Sequence, residues 1–332
     1  MLDFRKKTLD IVKNSPRRLV LPEGQDLRVL QAAELIVKEK FTTELVVLGN
    51  PDELAKLAKS NGVNLAGVTL FDPKTSPKLE EYAETFYQSR KSKGMTKEEA
   101  LSTIADEVYY AAMMMNKGDS DAMVSGSLTP TAKTVRASLL CVRPKEGIKT
   151  VSGSFVITVP DCKYGADGAF VYADCGVVPE PTTEQLADIA VASAESCRKL
   201  LGEEPYVAFL CFSTKGSADS PSVRRMQEAV KILESRKPDF AFDGEMQFDA
   251  AVEPSVAKSK APGSPVAGRA NVMIFPDLNA GNIAYKVSQR LAKGDAYGPL
   301  LQGLSKPVND LSRGCSPDDI LVVSAITIAQ SL

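Results

Sequence analysis

Short apolar runs alternate with helical stripes along this chain, the period switching between two and 3.6. The run RLVL at 18–21 reads as a buried strand ended by Pro22, Glu23 and Gly24. A stripe of Leu30, Ala33 and Ile36 then predicts a helix from about Asp26. ELVVL at 44–48 is the next strand, and Asn50, Pro51 and Glu53 supply the cap, first-turn proline and acidic third position of a helix ending near Gly62. VTLF at 68–71 is a third apolar run. Two helical stretches follow at 78–91 and 96–117, the second opened by a capping box of Thr96 and Glu99 and stopped by Gly118. DAMV at 121–124 is a strand, 125–131 a loop, and 132–140 a helix.

Around 143–147 this alternation breaks, which places a domain boundary there. GSFVITV at 153–159 and AFVYA at 169–173 read as adjacent antiparallel strands. The stretch 179–182 leads into an amphipathic helix with Leu186, Ile189, Ala190 and Leu200 on one face and Gly202 at its end. YVAFLCF at 206–212 is a strand, followed by a hydroxyl-rich loop at 213–220 and a helix from Pro221. The reading of 240–248 is extended, and 251–268, rich in Pro, Ser and Lys, reads as irregular at its end. NVMIF at 271–275 is a strand whose following turn, 276–282, enters a helix carrying Tyr285 and Lys286. The class is α/β, with mainly parallel sheets flanked by helices in two domains, and ligands expected beyond the carboxyl ends of the strands.

Length agrees with two domains, since 332 residues exceed a usual single core. A net charge of −2 without a basic run argues against nucleic acid, and no apolar run reaches membrane-span length. The first residues alternate charged and apolar side chains and lack the apolar core of a signal peptide. Six scattered cysteines without a CxxC pair read as reduced thiols of a cytoplasmic protein. The absence of histidine changes the picture most. It removes Ser-His-Asp and Cys-His catalysis and the HExxH zinc site, leaving proton transfer to Asp, Glu, Lys, Tyr, Cys or water.

Candidate chemistry concentrates in DLSRGCSPDDI at 310–320. Ser312 and Arg313 set a hydroxyl beside a planar, permanently charged fork, a pair suited to phosphate. Gly314 permits a sharp turn, Ser316 and Pro317 read as cap and first residue of a helix, and Asp319 falls three residues after the cap. The same spacing fits a capping box, in which Asp319 only satisfies a backbone N–H. The loop with Ser125, Gly126, Ser127, Thr129 and Thr131 runs from a strand into a helix, the setting of an anion seat, and Arg136 lies one turn further on. An ordinary Ser/Thr-rich connection with a threonine cap uses the same residues. Arg90, read alone, is a solvated helix-end cation. Neither a Walker A loop nor a glycine-rich dinucleotide fingerprint is present.

Five blocks together, LVLPEGQDLRVLQAA (19–33), DAMVSGSLTPTAKTVRASL (121–139), GVVPEPTTEQLADIA (176–190), FPDLNAGNIAYK (275–286) and DLSRGCSPDDI, resemble the phosphate acetyltransferase family over nearly the whole chain. The resemblance implies reversible acetyl transfer between the CoA thiol and phosphate, by direct transfer in a ternary complex. It implies a fold like isocitrate and isopropylmalate dehydrogenases, with domains at 1–148 plus 300–332 and at 149–299 and a cleft between them. CoA, acetyl phosphate and phosphate are the implied partners, in a homodimer with no metal and no permanently bound cofactor. Asp319 becomes the base for the thiol proton or the residue that orients Arg313. Arg313 meets phosphate or developing charge, and Ser312 orients thiol and carbonyl. Arg90 and Arg136 match substrate arginines, and Cys162 lies near without being a nucleophile; Ser125, Ser127, Thr129 and Thr131 at one strand-to-helix junction and Asn282, Tyr285 and Lys286 at another are taken with them as substrate-binding candidates from their position. The alternatives are a phosphate butyryltransferase, a nicotinamide-dependent decarboxylating dehydrogenase and a non-catalytic ligand-sensing module.

Overall fold

A computed structural model describes residues 3–332. The strands are β1 Arg17–Leu21, β2 Thr42–Leu48, β3 Val68–Phe71, β4 Ala122–Ser125, β5 Ser152–Thr158, β6 Ala169–Ala173, β7 Tyr206–Leu210, β8 Ala241–Met246, β9 Val272–Ile274, β10 Asp295–Gln302 and β11 Val308–Asp310. The chain divides into two compact units, one of Thr8–Pro144 with Leu304–Leu332, the other of Lys145–Gly303 with the segment up to Lys7. The divisions thus fall a few residues from the expected 148 and 300. The first residues lie with the second unit instead of the first, because Lys7 Nζ donates to the Leu201 carbonyl at 2.5 Å and the Phe4 ring packs 5.0 Å from Tyr297.

In the first unit the sheet runs β11-β4-β1-β2-β3, with every pair parallel. Register sets the position of the loops. Val20 lies opposite Met123 and Asp310 opposite Ser125, so the segments leaving β1, β4 and β11 emerge side by side at the carboxyl edge. Behind them the Pro317–Gln330 helix buries every residue from Ile320 to Ala329 and packs on β4 and on the Leu27–Glu39 helix. A helix apolar all round requires partners on several sides, and it has them. The expected helix at 96–117 is two helices, Lys97–Ile104 and Glu107–Lys117, because the Asp106 carboxylate caps the N–H groups of Val108 and Tyr109. The helix after β4, Thr131–Ala137, has Pro130 at its cap position with no side-chain cap, so no threonine caps it, and it continues as a wider π turn over Ser138–Val142.

The second unit orders its strands β10-β5-β6-β9-β7-β8. β10, β5 and β6 pair antiparallel and the others parallel. Its core gathers Phe155, Ile157, Phe170, Tyr172, Met246 and Met273. The segment 251–268 is helical in its first half, with helices Phe248–Val252 and Pro254–Lys260 and Pro254 in the first helical position of the latter, and irregular at its end, as its composition implied. Inside β10, Gly298-Pro299 interrupts the apolar alternation, which hides this edge strand from a pattern reading.

Candidate active site

The three loops at the carboxyl edge of the first sheet are tied by side chains that the local pattern did not single out. Glu23, 2% exposed, directs its carboxylate at the loop after β4. Oε2 accepts the N–H groups of Gly126 (2.6 Å) and Ser127 (2.9 Å) and the Ser127 hydroxyl (3.2 Å), while Oε1 accepts those of Leu128 (3.0 Å) and Thr129 (2.6 Å). Arg28, in the first turn of the Leu27–Glu39 helix, spans the loops. It pairs with Asp26 and donates to the carbonyls of Ser127 (2.9 Å), Arg313 (2.7 Å) and Cys315 (2.9 Å). The cap carboxylate of Asp26 is desolvated, which opposes its ionisation, yet the Arg28 guanidinium holds it below the usual range. Asp310 ends β11 wholly buried, with the Thr131 hydroxyl 2.5 Å from one oxygen and no hydrogen-bond partner on the other. Desolvation pushes its carboxyl up to about 6.

Past this buried joint, Ser312 and Arg313 are exposed on a turn closed by the Cys315 N–H on the Ser312 carbonyl (2.9 Å) and by the Gly314 N–H on Ser312 Oγ (3.3 Å). The Arg313 backbone is held by Arg28, and no carboxylate among the described residues pairs with its guanidinium. Asp319 forms the full capping box with Ser316. Its Oδ2 accepts the Ser316 N–H and hydroxyl, each at 2.8 Å, and its own N–H donates to Ser316 Oγ at 3.1 Å. The residue remains exposed, and among the described residues Oδ1 accepts no hydrogen bond. Capping therefore consumes one oxygen and leaves the other without a partner among the described residues. Cys315 is buried beneath the turn, where desolvation raises its thiol to about 11 and makes it a poor nucleophile.

Corrections concern the loop after β4. Its N–H groups do not face solvent for a phosphate, because Glu23 already takes four in succession. Ser125 is wholly buried, the Ser127 hydroxyl serves Glu23, and the Thr131 hydroxyl serves Asp310, which leaves Thr129 as the partly exposed hydroxyl of the set. Arg90 ends the Leu79–Arg90 helix and Arg136 lies exposed near the end of Thr131–Ala137. The Arg90 Nε is buried without a partner, which differs from a solvated helix-end cation, and Arg90 and Arg143 both act electrostatically on the Cys141 thiol.

Asn282, Tyr285 and Lys286 belong to the second unit, on its Leu278–Leu291 helix. Asn282 donates to the Cys175 carbonyl at 3.3 Å, the Tyr285 ring stacks 4.1 Å from Phe155, and Lys286 is exposed. Cys162 is half-buried against the core of that unit. A cavity of about 380 Å³ in the first unit lies elsewhere, lined by Phe71, Tyr82 and Tyr110. Its cations are already paired, Arg18 with Asp121 and Lys78 with Asp119. Among the described residues, no group of three or more Cys, Asp or Glu side chains is placed to hold a metal ion.

The profile of the "Phosphate acetyl/butaryl transferase" family matches residues 3–328. The chain belongs to this family. It is 49% identical over 330 residues to the phosphate acetyltransferase of Acetivibrio thermocellus, covering 99% of this chain and 98% of that one. A crystal structure of a phosphotransacetylase from Streptococcus pyogenes superposes with a TM-score of 0.93 at 40% identity, covering 100% of this chain and 99% of that one. The fold alone extends to 4-hydroxythreonine-4-phosphate dehydrogenase from Klebsiella pneumoniae, with a TM-score of 0.55 at 10% identity over 95% of this chain and 100% of that one. This transferase fold is therefore shared with a dehydrogenase, as the family resemblance implied. Among the described residues, no helix is long and apolar enough to cross a membrane.

Proposed function

We infer that this chain is a phosphate acetyltransferase, interconverting acetyl-CoA and phosphate with CoA and acetyl phosphate. The observation that carries this is the 49% identity, end to end, with a phosphate acetyltransferase. That relative also favours acetyl over the longer acyl groups that the family name includes. CoA, acetyl phosphate and phosphate are the substrates, and transfer is direct, within a ternary complex.

The chemistry is a thiolate attack on the acetyl carbonyl of acetyl phosphate. The C–S bond forms, the C–O bond to phosphate breaks, and the thiol proton passes to a base. A free thiol is only a few per cent ionised at neutral pH, so a base or a nearby cation is needed. Asp319 is suited to that work through Oδ1, while Oδ2 keeps the helix capped. Arg313, whose guanidinium is free of carboxylates among the described residues, meets phosphate and the developing oxyanion. Ser312 orients the reacting groups, and Arg90 and Arg136 supply further charge to substrate phosphates. Asn282, Tyr285 and Lys286 are assigned as substrate contacts of the second unit from their place on the helix that follows β9. The reaction requires neither imidazole nor enzyme nucleophile, metal or resident cofactor, in keeping with a chain that lacks histidine. Six unpaired thiols favour a cytoplasmic protein. A homodimer is favoured by an exposed apolar stripe on the second unit.

The test is thioester absorbance on mixing acetyl phosphate with CoA, in the absence of nicotinamide and added divalent metal. Wild-type chain turns over, and a folded Asp319→Asn variant loses roughly 10²–10⁴-fold in kcat. Near-full activity in Asp319→Asn removes the base assignment. A folded wild type that is silent with acetyl and longer acyl phosphates overturns the transferase reading.

A further inference from the structure

The seat that the sequence marks out for an external anion is filled by the chain itself. Four consecutive N–H groups, 126 to 129, converge on a single carboxylate, and one hydroxyl joins them. Successive N–H groups turned inward form a concave site for negative charge. Glu23 reaches it from the segment leaving β1, about a hundred residues away in sequence, and is sealed from solvent. The seated loop is coupled onward. Ser127 gives its N–H to Glu23 while its carbonyl accepts from Arg28 Nη2, and Nη1 of the same guanidinium donates to the carbonyls of Arg313 and Cys315. A rigid sequence of contacts thus runs from Glu23 through Ser127 and Arg28 to the backbone of Arg313.

We propose that Glu23 is a positioning residue of the acyl-transfer site: its carboxylate stands in the anion seat, and through Ser127 and Arg28 it fixes the backbone that presents Arg313. Phosphate is consequently held by side-chain cations and not by the N–H groups of this loop. The proposal rests on Arg313 acting at the site, as argued above. It separates from that reading because the seat can be probed by binding as well as by turnover.

Two variants test it. Glu23→Gln keeps size and burial but turns an amide N–H₂ toward the same donors, so at least one N–H loses its acceptor. A displacement of about 1 Å at a reacting group costs roughly 10²-fold. Glu23→Gln is expected to lose about that much kcat, with KM for CoA within about twofold of wild type. Glu23→Ala empties the seat. Formate at tens of millimolar is expected to raise its melting temperature and restore part of its kcat, whereas chloride at equal ionic strength does neither. The formate-dependent melting shift is read whether or not the wild type turns over acetyl phosphate. Wild-type kcat in folded Glu23→Gln overturns the proposal, as does a folded Glu23→Ala that formate neither stabilises nor reactivates. If Glu23→Ala does not fold, Glu23→Gln decides alone.

Discussion

Asp310 shows how a single buried residue couples the site to pH. Desolvation raises its carboxyl, the neighbouring Glu23 charge adds to the rise, and the Thr131 and Thr134 hydroxyls oppose it, with the balance at about 6 against an ordinary 3.8. A carboxyl whose folded value lies above its unfolded one favours folding while both states are protonated. That contribution is full below about 4 and is lost as pH rises through about 6. Roughly two units at 1.36 kcal/mol each make the loss on the order of 3 kcal/mol. Asp310→Asn keeps the shape and cannot ionise. Its stability relative to wild type is therefore expected to increase between pH 4 and pH 7.5, by urea midpoint at each pH. A difference that is the same at both pH values excludes ionisation of Asp310 as the cause.

At the scale of elements, the site is made where two loops touch, and Gly126 is the point of contact. Its φ is +114°, a region side chains rarely enter, and a Cβ there would lie 2.6 Å from the Leu311 N–H nitrogen and closer still to the free oxygen of Asp310. Gly126→Ala is expected to lower stability by about 1–3 kcal/mol. It should also cut kcat, since the loop leading to Arg313 must move. Wild-type melting and turnover would show that the contact is not needed. Helix caps were legible in sequence because cap and partner lie within three residues, as in Asn50 with Glu53, Thr96 with Glu99 and Ser316 with Asp319. Glu23 was not, because its donors lie 103 to 106 residues away. A Ser/Thr/Gly loop at a helix N-terminus reads the same whether a ligand or a distant side chain fills it. β11 escaped for a related reason. Three residues carry no period, and the burial of its Asn309 depends on distant partners on the helix behind, Thr327 and Gln330, which accept its amide at 2.8 and 2.7 Å. The second unit repeats the device of Glu23 with Asp174, whose carboxylate takes the N–H groups of Gly153, Gly176, Val177 and Val178 beside the helix that carries Tyr285.

For the whole molecule, the open question of assembly turns on the Leu278–Leu291 helix. Ile283, Val287 and Leu291 are 62%, 49% and 80% exposed and recur at i, i+4 and i+8, so they form one apolar stripe facing away from the core. Single exposed apolar residues are ordinary, but an aligned stripe on one helix marks an interaction surface. Two copies meeting through the same patch satisfy it in both chains, which is the geometry of a two-fold dimer. A charge placed in such a contact is opposed by its own image across the axis, at a cost greater than in an asymmetric complex. The double variant Ile283→Asp, Leu291→Asp should therefore sediment as a monomer at micromolar concentration, where wild type is expected to sediment as a dimer. Neither position is among the proposed catalytic residues, so acetyl-CoA formation by the variant also reports whether a lone chain turns over. A variant that remains dimeric would place the two-fold contact elsewhere and leave this stripe to another partner.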